Sequence, residues 1–127
     1  MNYERFTLKA QEAIQAANAM AQRMDHAQID NEHILKALME TEGTIVRPLL
    51  ERLGSNPDII LNKLDDALSK KPKVFGQTSQ TYLSGSASKV LSKAESEAAA
   101  LKDEYIAGEH ILLAILGQEG PLALMLK

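Results

Sequence analysis

The sequence predicts an all-α fold: two pseudo-symmetric tandem repeats of short helices packed as one compact bundle, the second repeat truncated. Three observations carry this reading. The string Glu32-His33-Ile34-Leu35 recurs as Glu109-His110-Ile111-Leu112, and the isoleucine before it (Ile29, Ile106) and the glycine after it (Gly43, Gly120) recur with it. All share one offset of 77 residues (109 − 32, 106 − 29, 120 − 43), the mark of one supersecondary unit used twice. Apolar residues also recur every three or four positions along alanine-rich stretches, as on helices that bury one face. Finally, aromatics make up only 4% of the 127 residues and cysteine is absent. The core is therefore aliphatic, its helices lie close together, and neither disulfides nor thiolate sites enter the chemistry.

Repeat one is expected over 6–71, a linker over 72–82 and repeat two over 83–127. The first helix starts at Thr7, whose hydroxyl can cap the free N–H groups of the first turn. Its stripe is Ala10, Ala13, Ile14, Ala17, Ala21 and Met24, and it gives way at Asp25-His26. A connection ending in Ile29 leads to the second helix. Asn31 is the expected cap, Glu32 sits where the helix dipole favours a carboxylate, and Gly43 is the stop. Thr44 to Leu53 reads as a short helix with Pro48 near its first turn, closed by Gly54. Asn56-Pro57-Asp58 opens a fourth helix bearing Ile60, Leu61, Leu64 and Leu68, which must end before Pro72. Residues 70–82 read as irregular, with Lys70, Lys71 and Lys73 as a solvated helix end.

The second repeat restates the first. Ser84 takes the place of Thr7, and Ala87, Val90, Leu91, Ala94, Ala98 and Leu101 repeat the stripe. Asp103-Glu104-Tyr105-Ile106 is the connection, Gly108 the expected cap, Glu109 to Leu116 the second helix, and Pro121 opens another. Lys127 corresponds to Leu50 of repeat one, so the counterpart of the fourth helix is expected in a longer protein.

Composition narrows the function. The net charge of −3 and pI near 5.6 lack the basic excess of a nucleic-acid binder. No apolar run approaches the ~20 residues of a membrane span, and the N-terminus is not a signal peptide, so a cytoplasmic protein is expected. No glycine-rich phosphate loop is present, and the serines lie in caps and the linker, which leaves no nucleophile with a base at hand. Ala37 and Ala114 stand where a zinc-protease motif needs a second histidine. His26, His33 and His110 are accordingly expected to pack and hydrogen-bond locally, with no metal. Glu32 and Glu109 serve the helix dipole in the simple reading. In the functional one each lies near the capping hydroxyl of its own repeat, Thr7 or Ser84, and forms a small polar site for a cationic or backbone group.

The opening Arg5-Phe6-Thr7 with Ala10-Gln11, the doubled Glu-His-Ile-Leu, the Gly43…Pro48-Leu49-Leu50 stretch and the 77-residue repeat resemble the Clp N-terminal domain family. The likeness covers essentially the whole chain. The Pro72-Lys73-Val74…Gly76 linker and Asp103-Glu104-Tyr105-Ile106…Glu109-His110 look most like the ClpB type. The ClpC/ClpA protease type, in which the domain docks adaptors or tagged substrates, is the alternative, and a free-standing helical interaction protein is a third reading. The resemblance implies a non-catalytic module that captures unfolded or aggregated polypeptide for a homohexameric ATPase ring working with a DnaK-type chaperone system. It implies no cofactor in this chain, ATP and magnesium belonging to absent ATPase modules, and a monomeric domain without nucleic-acid or membrane partners. Position by position it implies substrate contacts at Thr7, Asp103 and Glu109, with Leu91 and the position of His110 along an apolar groove; Tyr105, close to Glu109 in the chain, is a further candidate contact. His110 stands where some members have leucine. Ser84 and Glu32 are the counterparts in the other repeat.

Overall fold

The computed structural model describes residues 3–74, 81–118 and 120–126. Helix α1 spans Leu8–Arg23 and α5 spans Gly85–Ala100, the same bounds moved by the repeat offset. Thr7 Oγ1 accepts the N–H of Ala10 at 3.1 Å, and Ser84 Oγ that of Ala87 at 3.0 Å, so both predicted caps form. Alanines dominate the buried faces, with Ile14 and Met20 on α1 and Val90 and Leu91 on α5. Small side chains let α1 close on α2 and α5 on α6.

The two helices also end alike. The His26 N–H reaches Ala21 O and the Asp25 N–H reaches Gln22 O; Asp103 and Lys102 repeat both bonds to Ala98 and Ala99. This is the paired C-terminal motif that needs one left-handed residue. Asp25 (φ 59°) and Lys102 (φ 60°) supply it. The reversal turns the chain off the buried face at the last stripe positions. Met24 is consequently only partly buried, and Leu101, expected in the core, is exposed.

Helix α2 is Asn31–Glu40 and α6 is Gly108–Leu116. The caps are Asp30 and Ala107, one residue earlier than the expected Asn31 and Gly108. Histidine explains the shift. His33 Nδ1 accepts the N–H of Asp30 at 2.9 Å, and His110 Nδ1 that of Ala107 at 2.8 Å. An imidazole thus takes the part that glutamate plays in a capping box. Asn31, freed from capping, is buried and donates through Nδ2 to Ser86 and Gln118 of the second repeat.

Helix α3 spans Val46–Arg52, shorter than the expected 44–53. Thr44 instead closes the turn before it, its hydroxyl donating to Leu38 O at 2.6 Å. Helix α4, Pro57–Ser69, starts at the predicted Asn56 cap and stops before Pro72, and α7 spans Pro121–Leu126. Two short strands lie between repeats: β1, Gln28–Ile29, runs parallel to β2, Tyr82–Leu83, with Ile29 beside Leu83. Part of the stretch read as irregular linker is therefore strand. The isolated bridge between Phe6 and Ile106 is the same contact moved by the offset in both partners. Each repeat's lead-in segment thus lies against the connection of the other repeat, which crosses the two units. One hydrophobic core, running from Phe6 and Leu38 to Val90 and Ile111, serves both. Among the described residues no helix is long and apolar enough to cross a membrane.

Candidate functional site

The crossing decides which residues meet. The Thr7 N–H bonds Ile106 O at 2.9 Å, and the Ser84 N–H bonds Ile29 O at 3.0 Å. Thr7 therefore stands at the connection of repeat two, and Ser84 at that of repeat one. The expected pairing of each capping hydroxyl with the glutamate of its own repeat is corrected: the caps are exchanged.

Around the Phe6–Ile106 bridge lie Thr7, Asp103, Tyr105 and Glu109. Tyr105 is 54% exposed. Asp103 is half exposed and its Oδ2 pairs with His110 Nε2 at 2.8 Å. Because His110 Nδ1 takes the Ala107 N–H, Nε2 carries the imidazole proton and donates to the carboxylate. Glu109 follows in the first turn of α6, partly exposed, with no ion-pair partner among the described residues. Two expected contact residues sit elsewhere. Leu91 is wholly buried in the core, and His110 is buried beneath Asp103. Leu91 lies on the buried face of α5 and His110 on that of α6, so these residues support the surface from below and do not line it.

The equivalent surface of repeat one is built differently. Glu32 lies 3.4 Å and Asp30 3.0 Å from Lys71 Nζ. Lys71 is only 23% exposed, which corrects its reading as part of a solvated end; Lys70, paired with Asp66, and Lys73 are exposed as expected. Burial pushes the Lys71 ammonium down, but its bonds to Asp30 and Glu32 and their charges outweigh this and hold it above its ordinary value. Burial likewise pushes the Asp30 carboxyl up, yet the Ser84 hydroxyl and Lys71 outweigh it and hold Asp30 below the usual range. Both acids of repeat one thus share one ammonium. Ser84 is itself buried.

Beneath them, His33 Nε2 and His26 Nδ1 lie 2.8 Å apart. His26 occupies the place of Asp103, a pairing that sequence reasoning missed although the offset of 77 from 26 to 103 contained it. Burial, then the neighbouring His26, push the His33 imidazole down to about 4. Burial, then Lys71 and Lys73, push His26 below its ordinary value. Among the described residues no group of three or more histidines, cysteines or acids could hold a metal ion.

Residues 5–127 match the family model described as the Clp repeat (R) N-terminal domain. The chain is 37% identical over 119 residues to the chaperone protein ClpB of Nitratidesulfovibrio vulgaris, covering 91% of this chain and 14% of that protein. It therefore spans about a seventh of the length of such curated relatives. Among solved structures, the Hsp104 N-terminal domain of Candida albicans superposes with a TM-score of 0.81 at 29% identity, over 90% of this chain and 75% of that one. A ClpV N-domain in complex with a VipB peptide shares the fold, with a TM-score of 0.73 at 18% identity over 90% and 69% of the two chains. A repeat that spans the chain, helices that follow one another at a single offset and a family match over residues 5–127 agree: the chain belongs to the Clp repeat N-terminal domain family.

Proposed function

We propose that this chain is the polypeptide-recruiting module of a ClpB-type ATPase, and that the surface of repeat two around Thr7, Asp103, Tyr105 and Glu109 does the recruiting. The observation that carries the reading is the asymmetry between equivalent acids. Glu32 is held by Lys71, whereas Glu109 has no cation among the described residues and stands beside a half-exposed tyrosine and a half-exposed aspartate. Unfolded protein presents backbone N–H groups, cationic side chains and apolar side chains together. Carboxylates accept the first two and an exposed ring covers the third. Such contacts are individually weak and tolerant of sequence, which suits a module that must release what it captures. The solved peptide complex of a ClpV N-domain supports peptide recognition by this fold.

An ATPase ring, its ATP and magnesium, hexamer formation, cooperation with a DnaK-type system and a cytoplasmic setting belong to the same proposal for the whole protein. The test is amide chemical-shift mapping of the chain with a permanently unfolded model polypeptide. Shifts centred on Thr7, Asp103, Tyr105 and Glu109 support the reading. Shifts centred on Gln28, Glu32 and Ser84, with those residues silent, overturn it.

A further inference from the structure

The proposed recruiting surface makes no use of the buried histidine pair, which lies at the other crossing point. His26 follows the left-handed residue that ends α1, and His33 lies in the first turn of α2. The hydrogen bonds fix the protons. The Asp30 N–H donates to His33 Nδ1, so His33 is protonated on Nε2 and donates to His26 Nδ1; the remaining proton of His26 is on its Nε2. That atom is buried and has no partner among the described residues. Of the four ring nitrogens, three are thus committed to hydrogen bonds and the fourth is enclosed.

The pair also lies under the segments that join the repeats. The Val74 N–H bonds Asp25 O at 2.8 Å and the Tyr82 N–H bonds Ala27 O at 3.4 Å, the residues on either side of His26. His26, Lys71, Pro72, Val74 and Tyr82 line a cavity of about 230 Å³ between them. The ionisable groups facing the pair are Asp25 from the end of α1, Asp30 from the start of α2, Lys71 and Lys73 from the segment after α4, and Tyr82 of β2. At His26 the two ammonium groups outweigh the two acids; at His33 Asp30 outweighs Lys71, and burial and the neighbouring imidazole are what oppose a charge.

We propose that the His26–His33 pair is a proton-sensitive latch on the inter-repeat connection: one added proton breaks it and releases residues 72–74 and 82–83 from repeat one, while the seam of repeat two holds. A proton can enter only at an acceptor nitrogen. At His26 Nδ1 it removes the acceptor of the His33 bond, and at His33 Nδ1 it removes the acceptor of the Asp30 N–H. Either way a cation is left in a buried place, where loss of solvation opposes the charge. In repeat two Asp103 stands in place of His26, so the His110 Nε2–H meets a half-exposed carboxylate where repeat one has a buried imidazole.

The test is amide hydrogen exchange on the whole chain at pH 7 and pH 5, expressed as protection relative to the unstructured rate at each pH. A group that takes its proton only on opening raises the open population by about tenfold or more across this range. Protection of Val74 and Tyr82 is expected to fall by that factor, with Thr7 and Ile106 unchanged. His26→Asp, which installs the arrangement of repeat two, is expected to abolish the fall. The double variant His26→Gln, His33→Gln, which has no imidazole to take the proton and keeps an amide oxygen to close the cap, gives the same outcome if the aspartate variant fails to fold. Equal protection at both pH values in the wild type, a parallel loss at both seams, or an unaltered fall in the folded variants overturns the proposal.

Discussion

At the scale of single residues, the two copies of Glu-His-Ile-Leu are one backbone solution with different neighbours. In both, the histidine Nδ1 accepts the backbone N–H three residues earlier, and the isoleucine and leucine are wholly buried. The neighbour of the imidazole Nε2 differs: histidine in one repeat, aspartate in the other. Removing that aspartate leaves a buried His110 N–H without an acceptor. Asp103→Ala is therefore expected to destabilise the chain by about 1–2 kcal/mol, read as a lower midpoint in urea denaturation with unchanged slope. Glu32 and Glu109 were recognisable in the sequence as first-turn acids. That only one of them has a cation among the described residues was not, because Lys71 reaches Glu32 from a segment 39 positions away in the chain (71 − 32), and no local pattern encodes such a contact.

At the scale of elements, most of the helices were legible because their signals are local. The capping hydroxyls of Thr7 and Ser84 and the Asn56-Pro57-Asp58 start all act within one turn. The two strands were not legible, since two residues carry no periodicity and their partners lie in the other repeat. Caps on α2 and α6 were misplaced by one residue because histidine is not the usual closing residue of a capping box. Thr7→Ala and Ser84→Ala are each expected to cost about 1 kcal/mol. The Ser84 variant should cost more, because that hydroxyl is buried and also bonded to Asp30; equal unfolding midpoints for the two would contradict this. Gly108 packs closely against repeat one. A Cβ there would lie 3.1 Å from Leu38 Cδ2 and 3.2 Å from Val46 Cγ2. Gly108→Ala is expected to destabilise by roughly 1–3 kcal/mol through overpacking, despite the higher helix propensity of alanine, and thermal unfolding reads the sign directly.

At the scale of the whole molecule, the repeats are crossed: each lends its lead-in segment to the other. Offset arithmetic predicts two like units but says nothing of which unit's strand lies against which. The crossing brings Thr7 to the surface of repeat two and buries Ser84 in repeat one. Its electrostatics set the response to acid. His33 is held near 4 in the folded chain, below its ordinary 6.5, so between these values the unfolded chain binds more protons. Stability contributed by keeping this imidazole neutral is full above pH 6.5 and is lost as pH falls towards 4, by roughly 3 kcal/mol in all. Asp30, held below its ordinary value, adds a further loss only beneath that range. Urea denaturation at pH 7, 5.5 and 4.5 should show a falling free energy that His26→Asp flattens. The central claim, that one of two equivalent surfaces recruits polypeptide, is tested most directly by titrating a labelled, permanently unfolded protein into the wild type, Glu109→Gln and Glu32→Gln. Glu109→Gln is expected to weaken binding about fivefold, close to 1 kcal/mol, and Glu32→Gln to leave it within about twofold; equal weakening by both, or by neither, would contradict recruitment by the surface of repeat two.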